Sequence, residues 1–157
     1  MYDATNLMRL AIQEAREGIR KGQSPFGCAI SVNGRLLAAA HNCVLALGDI
    51  TAHAEITAIR EACAKTDKIA LNGSIVACTC EPCPMCMAAL HWARVETVYY
   101  GATIADAQSA GFNELTLPAA KLLELGSSQV KLVPGILPED CGQLFEEWKR
   151  SSTSRPY

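Results

Sequence analysis

Nothing in this 157-residue sequence is apolar for long enough to span a membrane, because its longest hydrophobic stretches are broken by charged residues, Gly or Pro. The opening residues, Met1-Tyr2-Asp3-Ala4-Thr5, lack the basic start and apolar stretch of a secretion signal, which points to a cytoplasmic protein. Dense runs of Lys or Arg are missing too. Basic residues around 16–21 and 149–155 are sparse and mixed with acids, and the net charge is −2 with a pI near 5.9. A protein that holds a long nucleic acid usually presents a basic face, so this balance favours a small substrate and no nucleic-acid partner. There is no internal repeat, no low-complexity segment and no linker that could separate domains. Half of the positions are apolar, enough for a single domain over residues 1–157 with a core of its own.

The hydrophobic pattern alternates between helical and extended periods. Residues 5–20 predict an amphipathic helix with Leu7, Met8, Ala11, Ile12, Ala15 and Ile19 on one side, ended by Gly22 and Pro25. Residues 28–32 and 36–41 predict a hairpin around Asn33-Gly34, a dipeptide suited to the tight turn between two strands. Residues 43–50 read as a loop, and Thr51 as the start of a helix running to about Cys63. A short strand over 74–78 precedes a helix opened by Pro84 and reaching about Arg94. A strand over 95–100, a helix over 118–125, a strand over 129–133 and a helix over 138–150 complete the chain. Two opening strands followed by alternating helix and strand predict a three-layer α/β/α sandwich around a five-stranded mixed sheet.

Eight cysteines is a high count, and four of them fall within Cys78-Thr-Cys80-Glu-Pro-Cys83-Pro-Met-Cys86. A chain of this length folds without disulfide staples, so clustering favours metal over cross-links. Cys28, Cys43 and Cys63 lie in apolar patterns and read as small core residues. The chemistry concentrates in Thr51-Ala52-His53-Ala54-Glu55 and Glu81-Pro82-Cys83-Pro84-Met85-Cys86, each at a predicted helix start. Free backbone N–H groups and the positive end of the helix favour thiolates at Cys83 and Cys86. Those two cysteines are one helical turn apart and so can face a single point. With His53 they make a zinc site whose fourth position is left for water. Zinc lowers the pKa of such a water toward ~7, and Glu55, two residues from His53, is placed to move protons rather than to ligate. His-x-Glu followed by Pro-Cys-x-x-Cys is the signature of zinc-dependent base deaminases. The competing view of the cysteine cluster is a closed structural site built from Cys78, Cys80, Cys83 and Cys86, but that leaves His53 and Glu55 without a purpose.

With these motifs the sequence resembles the cytidine deaminase superfamily, and within it the bacterial guanine deaminases. The resemblance rests on Pro25-Phe26-Gly27, Asn42, Thr-Ala-His-Ala-Glu at 51–55 and Cys-Glu-Pro-Cys-Pro-Met-Cys at 80–86. It rests also on Trp92-Ala93-Arg94, Ala110-Gly111-Phe112 and the last residue, Tyr157, and so runs over nearly the whole chain. It implies a cytidine deaminase-like fold, a Zn2+ cofactor on His53, Cys83 and Cys86, and Glu55 as the catalytic acid and base. Substrate-binding roles are implied for Phe26 against the purine face, for Asn42 on the ring edge, and for Ala54, Glu114 and Tyr157. Glu114 stands where the pattern commonly has aspartate; a carboxylate there suits the N–H donor at N1 of guanine. The resemblance further implies a homodimer in which residues 151–157 form an arm carrying Tyr157 over the partner's site.

The function so implied is hydrolysis of guanine to xanthine and ammonia, with attack at C2. The alternatives within the same chemistry are a tRNA adenosine deaminase and a deaminase of cytosine or another amino-heterocycle, such as an aminotriazine. From a different class, a non-catalytic zinc-stabilised module would bind a nucleobase or a protein, and four protein ligands on the metal would mark it.

Overall fold

The computed structural model describes residues 2–157. Its first helix, α1 (Ala4–Arg20), is capped by Asp3, whose carboxylate accepts from the Asn6 N–H at 2.8 Å. Leu7, Met8, Ala11, Ile12, Ala15 and Gly18 are buried along one side, as the helical period demands, while Ile19 is only partly covered. The hairpin follows as β1 (Gly27–Val32) and β2 (Arg35–His41). Its turn residues Asn33 and Gly34 take φ of 51° and 72°, the left-handed pair a two-residue turn requires.

Beyond the hairpin come α2 (Val44–Leu47), α3 (Ala54–Thr66), β3 (Ser74–Cys80), α4 (Pro84–Trp92) and β4 (Thr97–Ala102). The chain ends with α5 (Ile104–Ser109), α6 (Ala119–Leu125), β5 (Lys131–Val133) and α7 (Pro138–Lys149). The five strands form one mixed sheet in the order β2-β1-β3-β4-β5. β1 is antiparallel to both β2 and β3, while β3, β4 and β5 run parallel. Helices α1 and α7 cover one face, and α3, α4 and α6 the other. This is the expected three-layer α/β/α sandwich. Among the described residues no helix is long and apolar enough to cross a membrane.

Alternation along the strands divides the core. On β1 and β3, Cys28, Ile30, Val76 and Cys78 pack toward α3 and α4, whereas Ala29 and Ala77 pack toward α1 and α7. Ala54, Ala58 and Ala62, four residues apart on α3, are fully buried, and their small side chains bring that helix close to the sheet. On the opposite face the close approach is made by Gly27. A Cβ there would lie 2.0 Å from the Ala11 carbonyl oxygen, so only glycine lets α1 cross the start of β1. The two helices of that layer are tied by Arg16, whose guanidinium meets the Glu147 carboxylate with Nε–Oε2 at 3.0 Å and Nη2–Oε1 at 2.9 Å.

Several boundaries depart from the sequence expectation. α3 begins at Ala54, not Thr51, because the Thr51 hydroxyl bonds Asp49 Oδ1 at 2.7 Å, the Ala52 N–H closes a turn on the Asp49 carbonyl at 3.0 Å, and the backbone is extended at His53. The supposed loop over 43–50 contains the single turn α2, and α5 follows β4 directly. Cys43 and Cys63 are half-buried at the edge of the core, and Cys43 Sγ donates to the His41 carbonyl at 3.4 Å. Cys78 and Cys80 stand two apart on β3, a spacing that in a regular strand puts both side chains on one face. They lie instead in the two separate clusters, and Cys80 Sγ donates to the Thr103 carbonyl at 3.4 Å.

Candidate functional site

The functional residues converge at one edge of the sheet, the C-terminal edge of β3 and β4. The antiparallel hairpin brings its open end there too, since Gly27 pairs with His41 and the Gly27 N–H donates to Thr79 Oγ1 at 3.0 Å. Phe26 and Asn42 therefore flank the hairpin mouth, joined by the Asn42 N–H donating to the Phe26 carbonyl at 3.0 Å. Helices α3 and α4 start at the same edge.

Both helices begin in an unusual way. Their N-cap residues are His53 and Cys83, in extended backbone (ψ 159° and 166°), and neither side chain caps its own helix. An N-cap is ordinarily Ser, Thr, Asp or Asn, turned back onto the first turn. Here both side chains instead turn toward one another. His53 Nδ1 lies 3.7 Å from Cys83 Sγ and 3.5 Å from Cys86 Sγ. Zinc–nitrogen and zinc–sulfur bonds of ordinary length at a tetrahedral angle place nitrogen and sulfur about 3.6 Å apart, so the three atoms already form edges of a zinc tetrahedron. Among the described residues no fourth His, Cys, Asp or Glu joins the group, which removes the closed four-cysteine alternative.

The electrostatics suit the same ion. The Cys86 thiol and then His53 hydrogen-bond to Cys83, and against the cost of burial they hold its thiol down to about 4, so that a thiolate is favoured. Cys86 is correspondingly pushed up, by Cys83 first and by burial second. Burial lowers the His53 imidazole, but the bond to Cys83 and the nearby Glu55 outweigh it and raise its pKa above the usual histidine value. Two thiols, one imidazole and an open side are the donor set of a catalytic zinc site.

Glu55 is the second residue of α3 and is only 8% exposed. Burial pushes its carboxyl up to about 7, against the opposing pull of His53. It lines a cavity together with His53, Cys83, Phe26 and Asn42. The remaining wall is Cys80, Glu81, Glu114 and Tyr157. Burial likewise raises the Glu114 carboxyl, and Glu114 also lines the adjoining cleft of Phe112, Ile50 and Met85.

Tyr157 forms one wall of the cavity. Asn42, fully buried, accepts from the Val44 N–H through Oδ1 (3.1 Å) and donates through Nδ2 to the Tyr157 hydroxyl (2.6 Å). The Tyr157 ring sits 5.9 Å from His53 and 5.7 Å, edge-on, from Phe112. Phe112 in turn packs on Phe26 at 4.9 Å and on Trp148 at 4.9 Å. Residues 151–157, read from sequence as an arm for a partner, thus cover the site of their own chain.

Of the nine residues singled out from sequence, the structure gathers seven around this cavity, and Cys86 completes the ligand cluster behind it. Ala54 alone is elsewhere, fully buried between α3 and the sheet and not on the cavity wall. Cys80, Glu81 and Phe112 stand in motifs quoted from the sequence, but sequence reasoning gave none of them a place around this cavity. For Glu81 a signal existed, an acid inside the cysteine motif, but its partners are distant in sequence.

Comparison with known proteins agrees with this geometry. The model of the cytidine and deoxycytidylate deaminase zinc-binding region matches residues 1–102. A guanine deaminase from Bacillus subtilis (strain 168) is 36% identical over 157 aligned residues, covering 96% of each chain. A tRNA-specific adenosine deaminase from the same organism is also 36% identical, over 91% of this chain and 86% of its own. The structure of a guanine deaminase from Nitrosomonas europaea superposes with a TM-score of 0.86 at 26% identity, over 94% of this chain and 85% of that one.

Proposed function

We propose that this chain, which belongs to the cytidine and deoxycytidylate deaminase family and is a zinc-dependent aminohydrolase, hydrolyses free guanine to xanthine and ammonia. The observation that carries the choice of substrate is the narrow cavity spanned by Tyr157 bonded to Asn42. A space covered by the Tyr157 ring suits a free ring better than a base still joined to a polynucleotide. The net charge of −2 is in keeping with a small substrate. Likeness over 96% of both chains to a guanine deaminase supports the same choice.

His53, Cys83 and Cys86 would hold the zinc ion. When bound, zinc acts as a Lewis acid that makes hydroxide available at neutral pH. Glu55 takes a proton from the attacking water and delivers it to ring N3, then takes the remaining proton from the hydroxyl added at C2 and passes it to the departing amine. Its buried position beside His53 keeps bulk water from competing for that proton. Phe26 lies against the ring face, and the Asn42 amide keeps one N–H for the ring edge after bonding Tyr157. Glu114 accepts from the N1–H that guanine presents. Ala54 supports this wall from behind, through the packing of α3. We take the working form to be a cytoplasmic homodimer, each copy keeping its own Tyr157 bonded to its own Asn42.

Ammonia release by the zinc-loaded protein tests the proposal. The panel is guanine, adenine, cytosine, their nucleosides, aminotriazines and a tRNA carrying adenosine at the wobble position. Guanine should give xanthine and ammonia in equal amounts, with kcat/KM about a hundredfold or more above any other ring. Ammonia from another ring alone, or inosine in the tRNA, would overturn the substrate while leaving the zinc chemistry intact.

A further inference from the structure

Glu81 stands two residues before Cys83, and the mechanism above makes no use of it. Its backbone N–H donates to the Ala102 carbonyl at 2.8 Å, extending the β3–β4 pairing by one residue to the cavity edge. Its two carboxylate oxygens reach in two directions. Oε1 accepts from the Ala119 N–H at 2.9 Å, and Oε2 from the Ile104 N–H at 3.4 Å. Those are the first residues of α6 and α5. The N-cap of α6 is Pro118, which has no side-chain acceptor to offer, so Glu81 does from a distance what Ser or Asp would do locally. At α5 the Thr103 hydroxyl already serves Asp106, and Glu81 takes the N–H that this arrangement leaves over.

Between these anchors runs the segment 110–118, which carries Phe112 and Glu114. Among the described residues the backbone N–H groups of Leu115, Thr116 and Leu117 form no hydrogen bond. The Glu114 N–H donates to the Phe112 carbonyl at 3.0 Å and the Phe112 N–H to the Ala107 carbonyl at 3.2 Å, so the segment is tied to α5 on one side, while from Leu115 to Leu117 its own backbone supplies no tie toward α6. One carboxylate holds the start of α5, which leads into the segment, and the start of α6, which follows it, and that carboxylate belongs to the turn that presents Cys83 and lines the same cavity.

We infer that Glu81 is a positioning residue that sets the wall formed by Phe112 and Glu114 against the zinc-binding turn, and thereby governs substrate affinity. The inference rests on the proposed assignment of Glu114 to the substrate edge. Glu81 does not touch the reacting atoms. Its effect passes through the segment 110–118, so affinity should suffer more than turnover.

The test uses zinc-loaded E81Q and E81A beside the unaltered protein. Glutamine keeps an oxygen for the Ala119 N–H but presents an amide NH2 to the Ile104 N–H, so one anchor survives; alanine removes both. Hydrogen–deuterium exchange should quicken within 110–118 in both variants, more in E81A, with α1 and β1 to β4 unchanged. KM for guanine should rise about tenfold in E81A and by a smaller factor in E81Q, with zinc content and kcat within about twofold of the starting protein. Unchanged exchange in 110–118, faster exchange throughout the chain, or loss of zinc would each overturn the positioning role. If the unaltered protein leaves guanine untouched, the assigned substrate is wrong, and exchange in 110–118 still decides the role of Glu81.

Discussion

The side-chain amide of Asn42 donates to the hydroxyl of Tyr157 at 2.6 Å, joining the residue after β2 to the last residue of the chain. One hydrogen bond thus joins two walls of the cavity, 115 residues apart in sequence. Its partner atom is not idle, since Asn42 Oδ1 holds the Val44 N–H at the start of α2.

This pair makes a double-mutant cycle informative. Y157F removes only the hydroxyl and should raise KM for guanine by up to about tenfold. N42A leaves the buried Val44 N–H without its acceptor as well, so its cost should exceed that of Y157F by about 1–3 kcal/mol in unfolding free energy. In the doubly altered protein the effects on KM should fall short of the product of the single ones, with a coupling of about 1 kcal/mol. Strictly multiplicative KM effects would mean that the Asn42–Tyr157 bond does not act in substrate binding.

Zinc removal should act on stability as well as on turnover. His53 and Cys83 stand in extended backbone just before α3 and α4, and without the ion their side chains hold the two helix starts together only by contacts of 3.5–3.7 Å. A chelator should reduce ammonia release to background and lower the melting temperature. Added zinc at about a hundred times its dissociation constant should restore about 2.7 kcal/mol. C83S should fail to recover either property under the same conditions. Equal melting temperatures with and without zinc would contradict a site that bridges the two helices.

Gly27 offers a prediction far from the chemistry. In G27A the new methyl would meet the Ala11 carbonyl oxygen at 2.0 Å and the Ala15 nitrogen at 2.8 Å, both of them backbone. Neither can swing aside, so α1 must lift from the sheet at a cost of about 3 kcal/mol, read from urea unfolding. Phe26, the next residue back, should move with it and raise KM. Unfolding at the same urea concentration would show that α1 is more loosely seated than the structure has it.

How much of this was legible in the sequence depends on how local each signal is. His53, Glu55, Cys83 and Cys86 could be read because ligand spacing within one helical turn is a property of neighbours. Asn33-Gly34 announced its hairpin for the same reason. The start of α3 misled: Thr51 has the chemistry of an N-cap, yet its hydroxyl is taken by Asp49 and the cap falls to His53. α5 was missed because six residues are too few to show a period, although Thr103 and Asp106 form the capping box that opens it. Glu81 lay hidden because its partners are 23 and 38 residues away. Cys78 and Cys80 looked like a pair, but the end of β3 delivers them to different layers.

The proposed reaction depends above all on Glu55, a buried carboxylate that serves a three-ligand zinc site without being a ligand. Bound zinc and ammonia release from guanine, measured together in purified E55Q, test this most directly. Glutamine fills the same volume but cannot carry a proton, so zinc should remain at one ion per chain while kcat falls by about 10²–10⁴. Loss of the ion, or full zinc with turnover near that of the unaltered protein, would contradict the role assigned to Glu55.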